Sequence, residues 1–329
     1  MKFSSVNFGC RVNAAETNQL SQQLIDQGFI FDDQNPDTII VNTCAITKKG
    51  EYESISKIKK LIKDNPKLKI IATGCANLDK LKDFKNVTIL KNIDKDKINQ
   101  AYSPNIKDKF SHTNRYLLKV QSGCSQNCTF CIVPSRRTTL NYLPIEDAVK
   151  TINSAKTYKE VIITGVNLTQ YLPGISNLVE ALLAKTKIEL ISFGSVPLLC
   201  IDNKFIKLLE NDRVSKFLHI PLQSGSDKIL KLMHRPYNNL KIKTLIKNLK
   251  LKIKNLSLGT DIIVGFPTET DVDFRETYDL CKSIGFTKIH VFKYSPRPDT
   301  PARDLFLQSD KISKQTLIER SKKLRNLVL

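Results

Sequence analysis

The stretch Cys124-Ser-Gln-Asn-Cys128-Thr-Phe-Cys131 constrains this chain more than any other. Three thiols spaced C-x₃-C-x₂-C on one short loop can converge on a single soft centre, zinc or an iron–sulfur cluster. A structural zinc ion takes four Cys or His ligands. No fourth stands nearby in the sequence, so the set favours a cluster with one iron left open. The apolar run Tyr116-Leu-Leu-Lys-Val-Gln121 just ahead reads as a strand, which places the loop at a strand's carboxyl end.

Residues 1–102 alternate between strands and helices. Strands are expected at 5–8, 38–42, 68–73 and 87–90, with Asn13 capping a helix through Leu24 and a second helix at 48–63. In the second helix Ile55, Ile58 and Ile62 share one face. This order implies a parallel sheet covered by helices, a flavodoxin-like βαβ domain. Three further cysteines then fall into register. Cys10, Cys44 and Cys75 each lie just past an expected strand, 34 and then 31 residues apart, about one βαβ unit each time. The carboxyl ends of parallel strands share one edge, where such folds bind ligands. Gly9 and Gly74 let the backbone approach a bulky group there. The three read as ligands of a second cluster, again with only three protein thiolates. Cys200 and Cys281 sit in apolar or helical surroundings and read as ordinary buried thiols.

Residues 103–113 read as a polar linker carrying Pro104. Over 114–310 strands are expected at 116–121, 160–164, 188–192, 217–222, 258–264 and 288–293, alternating with helices such as 145–156. Six βα units suggest a partial (βα)6 barrel, so the whole chain is of the α/β class. A basic helix closes it within 311–329. At strand ends, Gly165, Asn167, Gln223 and the stretch Asp261-Ile-Ile-Val-Gly265-Phe266-Pro267 are candidates for a cofactor pocket, while His219 reads as a core histidine.

The 52 basic and 32 acidic residues leave a net charge of +20. That balance suits a polyanionic partner such as RNA, and it equally suits lysine-rich solvated helices. No apolar run is long enough for a membrane span and the start has no signal-peptide pattern, so the expectation is a cytoplasmic enzyme with no membrane partner. Eight cysteines without an export signal argue against a disulfide framework.

With both cysteine sets placed, the sequence resembles the radical S-adenosylmethionine (SAM) methylthiotransferases over essentially its whole length. The resemblance rests on Phe-Gly-Cys10-Arg-Val-Asn, Val-Asn-Thr-Cys44-Ala-Ile-Thr and Thr-Gly-Cys75, and on the Cys124, Cys128, Cys131 loop with Phe130 before its last cysteine. It extends to His219-Ile-Pro-Leu-Gln-Ser-Gly-Ser226, Met233-His-Arg-Pro-Tyr237, Ile263-Val-Gly-Phe-Pro267 and Tyr294-Ser-Pro-Arg-Pro298. It implies two [4Fe-4S] clusters and SAM as cofactors: Cys124, Cys128 and Cys131 hold the SAM cluster, and Cys10, Cys44 and Cys75 hold an auxiliary cluster. Phe130, Gly165, Asn167, Gln223 and Val264 are then expected around SAM. In the family's scheme one SAM yields a 5′-deoxyadenosyl radical that abstracts hydrogen, a second methylates sulfur on the auxiliary cluster, and the methylthio group passes to the substrate.

Gly9-Cys10-Arg11-Val12-Asn13 is similar to the MtaB type, which acts on N6-threonylcarbamoyladenosine beside the tRNA anticodon. The anticodon loop of tRNA is thus the expected partner, with an unidentified electron donor and no DNA. Arg11, Arg137, Arg235 and the basic last helix are candidates for phosphate contacts. The rival substrates are isopentenyl-adenosine in tRNA and an aspartate of a ribosomal protein; the non-enzymatic rival is a cluster-binding protein without catalysis. The sequence departs from the family over 135–143, where Arg137 alone keeps the pattern, and at Glu189 and Gly194. The family also ends in a small RNA-binding β-barrel (TRAM) domain, and this sequence stops before one could fit.

Overall fold

The computed structural model describes residues 1–97, 114–155 and 157–328, so the expected linker at 103–113 lies outside the described residues. By its contacts the chain forms two compact units. The first gathers Met1–Ser125, Ile132–Pro173 and Ala181–Glu189; the second gathers Gln126–Cys131, Gly174–Glu180 and Leu190–Leu329.

The first unit is built on a five-stranded parallel sheet. Its strands are β1 (Lys2–Asn7), β2 (Ile30–Phe31), β3 (Thr38–Thr43), β4 (Lys69–Gly74) and β5 (Val87–Ile89), in the order β2-β1-β3-β4-β5. Central strand β3, Thr-Ile-Ile-Val-Asn-Thr, is buried at every position, as a strand covered on both faces must be. Its alternate side chains feed two cores. Ile39 and Val41 pack with Ile70, Ala72 and the Ile55 and Ile58 side of helix α2 (Lys48–Asp64). Ile40 faces the other way, toward Phe3 and Leu20 of helix α1 (Arg11–Asp26). Burying each such side chain contributes about 1.5–3 kcal/mol.

The expected cap is corrected. Helix α1 starts at Arg11 with Cys10 in the capping position, and no side chain caps it. Asn13 is instead buried, its Nδ2 donating to Asn42 Oδ1 (2.8 Å) and to the Thr43 carbonyl (2.9 Å). Farther along, the same unit holds β6 (Arg115–Ser122), β7 (Asn141–Tyr142) and β8 (Glu160–Gly165). Strand β6 pairs parallel with β8 and antiparallel with the two-residue β7.

The second unit carries β9 (Leu190–Phe193) and a parallel sheet of β10 (Phe217–His219), β11 (Ser257–Val264) and β12 (Lys288–Lys293), in that order. Strand β10 is shorter than the expected 217–222. Pro221 has no N–H to give to a ladder, and Gln223 adopts φ 77°, which takes the chain out of extended geometry. The helix Asp271–Ile284 opens on a reciprocal Thr270–Asp273 capping box and stops at Gly285, whose φ of 64° a side chain would resist. The basic last helix forms at Lys314–Arg325 and packs along β11 and β12. Its Arg320 is buried and ion-paired with Glu269 and Asp271, so this helix is partly a structural element.

Candidate active site

Six of the eight cysteines fall into two groups along the chain, and all eight are free thiols. In the first unit, β1, β3 and β4 are neighbours, with Asn7 paired to Asn42 and Thr43 to Gly74. Cys10, Cys44 and Cys75 therefore leave adjacent parallel strands at one edge, as expected from their spacing. Cys10 is exposed, Cys44 half-buried and Cys75 buried. Gly74 has φ 106°, and a Cβ there would lie 2.3 Å from the Thr43 carbonyl oxygen, so only glycine lets these two turns close up. The Cys75 N–H donates to that same carbonyl (3.1 Å), and the Cys44 N–H donates to Ser54 Oγ (3.1 Å).

Behind Cys75 lies a buried ionic cluster. Arg137 Nε donates to Cys75 Sγ at 3.3 Å. Its two terminal nitrogens grip Glu16 in a bidentate pair (2.6 and 2.9 Å), and Nη2 also donates to Asn13 Oδ1 at 3.2 Å. Lys95 Nζ reaches Glu16 Oε2 at 2.6 Å and Lys119 Nζ reaches Oε1 at 3.4 Å. Burial alone would raise the Glu16 carboxyl, but Arg137, Lys95 and Lys119 together hold it well below the usual carboxylate range. Three cations face one carboxylate here, so the cluster has positive charge in excess beside a thiol.

The second cysteine group lies on the loop after β6. Within the first unit, the Cys124 N–H donates to the Arg137 carbonyl (3.2 Å), and Asn167 Nδ2 approaches Cys124 Sγ at 3.6 Å. The Asn167 N–H is fixed by Gln121 Oε1 (2.7 Å), whose Nε2 in turn holds the Ser122 and Gly123 carbonyls. Within the second unit, Cys128 is buried and its Sγ accepts a hydrogen bond from Arg235 Nη1 at 3.3 Å. Arg235 Nε donates to the Tyr237 hydroxyl (2.8 Å), and Nη2 donates to the Pro221 carbonyl (3.2 Å). The Cys131 N–H donates to the Cys128 carbonyl (3.1 Å). Thr129 Oγ1 donates to the Leu232 carbonyl (2.8 Å), and Phe130 packs on a core of Ile229, Met233, Ile263, Phe266 and Ala302.

Against known proteins, residues 118–281 match the radical SAM superfamily and residues 2–92 match uncharacterized protein family UPF0004. The chain is 32% identical over 365 residues to the threonylcarbamoyladenosine tRNA methylthiotransferase MtaB of Aquifex aeolicus, covering 100% of this chain and 87% of that one. This chain belongs to the radical SAM methylthiotransferases. A tRNA-2-methylthio-N(6)-dimethylallyladenosine synthase of Petrotoga mobilis is 30% identical, over 92% of this chain and 78% of its own. Among solved structures, the radical SAM methyltransferase TsrM of Kitasatospora setae superposes with a TM-score of 0.66 at 12% identity, over 92% of this chain and 77% of that chain. At that identity the likeness speaks for the fold.

For a radical SAM methylthiotransferase, the expected site residues fall into three sets. Asn167 is beside Cys124, and Gly165 packs against Gln121, where a Cβ would meet the Gln121 Cβ at 3.0 Å. Phe130 anchors the loop in the core, Gln223 bridges to β11 through its N–H to the Asp261 carbonyl (2.8 Å), and Val264 is buried with its carbonyl taken by the Tyr294 N–H (2.9 Å). Arg11 is exposed at the start of α1. Of the arginines expected at phosphates, Arg137 is buried with its guanidinium on Cys75, Glu16 and Asn13, which takes it away from solvent, while Arg235 is half-buried and bonded to Cys128, Tyr237 and the Pro221 carbonyl. Glu16, Lys95 and Gln121 were not singled out from sequence, and Tyr237 entered only as the last residue of a motif. Cys200 and Cys281 behave as ordinary thiols, burial pushing each up to about 12. Among the described residues no helix is long and apolar enough to cross a membrane.

Proposed function

We propose that this methylthiotransferase adds a methylthio group to C2 of N6-threonylcarbamoyladenosine next to the tRNA anticodon. The observation that carries the reading is the placement of Cys10, Cys44 and Cys75 on three neighbouring strand ends, with an arginine N–H on Cys75. The name of the Aquifex aeolicus relative supports the substrate. Residues 1–102 would carry the auxiliary [4Fe-4S] cluster on these cysteines. Residues 114–310 would carry the SAM-binding [4Fe-4S] cluster on Cys124, Cys128 and Cys131, followed by the last helix in 311–329. A cytoplasmic setting and an electron donor belong to the same reading.

The donor sets fit these groups: free thiols, each set with one buried cysteine held by a guanidinium N–H, and no side chain at Gly74 to crowd the first. When bound, the clusters and SAM supply a radical able to act on an unactivated C–H bond, together with the sulfur that replaces hydrogen. The chain's own residues do the positioning. Arg137 fixes Cys75 and donates to its sulfur; Arg235 does so for Cys128; Gln121 orients Asn167 toward Cys124. A base in an anticodon loop can be splayed from its stack to reach such a site.

The test is made on anaerobically reconstituted protein with reductant, SAM and threonylcarbamoyl-modified tRNA, followed by mass spectrometry of the digested nucleosides. A methylthio gain on threonylcarbamoyladenosine is expected. A gain only on dimethylallyl-adenosine tRNA would transfer the reading to the substrate named for the Petrotoga mobilis relative. Absence of 5′-deoxyadenosine from protein shown to hold both clusters would overturn it in favour of a cluster-binding protein without catalysis.

A further inference from the structure

In the second unit a third group of ligand-type side chains lies apart from the six cysteines. His219 on β10, Asp261 on β11 and His290 on β12 offer donor atoms within 4.8 Å of one another. Asp261 is the register partner of His290, and His219 is the partner of Gly259, two residues before Asp261. Residues two apart on a strand share a face, so the three side chains stand together on one face of three adjacent strands. His219 Nε2 is 2.9 Å from Asp261 Oδ1, and His290 Nδ1 is 3.2 Å from the same oxygen. The rings lie 5.1 Å apart, tilted by 36°.

The face is shaped around them. A Cβ on Gly259 would sit 2.7 Å from His219 Nδ1, so glycine on the neighbouring strand leaves room for that ring. Exposure rises across the group, from 6% for the His219 side chain to 22% for Asp261 and 46% for His290. The site is therefore anchored at one end and open to solvent at the other. Among the described residues no lysine or arginine pairs with Asp261; its neighbours are two imidazoles. A half-buried carboxylate flanked by two imidazoles is a setting a metal cation can share, and imidazole is the commonest metal ligand.

We propose that His219, Asp261 and His290 form a divalent transition-metal site. Two imidazole nitrogens and one carboxylate oxygen are the donor set of three-ligand zinc and non-haem iron(II) sites, which keep an open position for water or a ligand oxygen. The open position faces the solvent beside His290. The site requires nothing of the cysteine clusters and stands or falls independently of the substrate proposed above.

The experiment uses the cluster-loaded enzyme, whose six cluster cysteines are occupied, dialysed anaerobically against micromolar Zn²⁺ with iron content measured in parallel. One zinc per chain is expected. Asp261→Asn and His290→Ala, the latter on a half-exposed side chain that tolerates truncation, each weaken zinc binding at least tenfold while iron content stays constant. X-ray absorption at the zinc edge is expected to give a nitrogen and oxygen shell without sulfur. Zinc retained equally by both variants, a sulfur-dominated shell, or no zinc at all would overturn the site and leave a hydrogen-bonded His–Asp–His triad only.

Discussion

Two arginines do the same thing in two different ways. Arg137 and Arg235 each place one N–H 3.3 Å from the sulfur of a buried cysteine. Arg137 is held by charge, through a bidentate Glu16 and two lysines that share the same carboxylate. Arg235 is held by neutral oxygens, the Tyr237 hydroxyl and the Pro221 carbonyl, with its guanidinium 5.1 Å from the Tyr237 ring centre. A neutral cradle loses a bond or two when cut. An ionic one leaves uncompensated charge in the interior, which is far more costly. The first cysteine site is thus more tightly bound to the stability of its unit than the second.

The largest effects separate the two cysteine sets themselves. Cys128→Ala is expected to abolish reductive SAM cleavage, read as 5′-deoxyadenosine by chromatography. Cys44→Ala is expected to keep some cleavage and lose methylthio transfer. Retained transfer in Cys44→Ala would break the division of labour between the sites. Next comes Glu16→Gln, which strands the buried cations of Arg137 and Lys95 and is expected to cost about 3–5 kcal/mol in denaturant unfolding. The same carboxylate sets an acid limit. Its folded pKa is depressed, so its contribution is fully present above the ordinary glutamate value of about 4.3 and is lost as pH falls through the folded pKa. Wild-type protein should lose stability as pH drops below about 4.3, and Glu16→Gln should lose less over that window.

Much of this arrangement was legible in the sequence, and what escaped shares a cause. The cysteine placement could be read because β3 and β4 carry apolar runs, helices separate the three strands, and parallel strands end on one edge. The ionic cluster could not. Glu16 meets Lys95 across 79 residues and Arg137 across 121, so no spacing rule links them. Arg137 looked like a solvated arginine because sequence gives its charge and not its burial. Asn13 looked like a cap because it stands near a helix start, whereas its amide serves Asn42 across 29 residues. Strand β7 is only two residues long, too short to show a period. Periodic local patterns survive in sequence; polar partnerships formed by tertiary approach do not.

The middle of the range tests the comparison directly. Arg137→Gln leaves Glu16 to the two lysines and removes both the bidentate pair and the bond to Cys75; about 2 kcal/mol of stability is expected to go. Arg235→Gln removes bonds to a sulfur, a hydroxyl and a carbonyl, with an expected loss of about 1.5 kcal/mol. Both should shift the potential of the neighbouring proposed cluster to more negative values, because hydrogen bonds and positive charge near cluster sulfur favour the reduced form. Potentiometric titration followed by electron paramagnetic resonance reads each shift. If only stability changed and neither potential moved, the N–H···S contacts would be packing alone.

The smallest effect sharpens the comparison at Cys124, on the loop after β6. Here the donor is neutral: Asn167 Nδ2 at 3.6 Å, held in place because Gln121 accepts its backbone N–H. A neutral amide at that distance is a weak donor, and Asn167 Oδ1 also accepts from the Thr169 N–H and hydroxyl. Asn167→Ala therefore loses the local turn as well as the sulfur contact, at about 1 kcal/mol. Asn167→Asp keeps an acceptor for Thr169 and replaces the donor by negative charge. The two variants should agree within a few tenths of a kcal/mol in unfolding if the turn is what matters. If the contact to Cys124 matters, the aspartate should give the more negative cluster potential of the two, since it adds charge beside the sulfur where alanine only removes a donor.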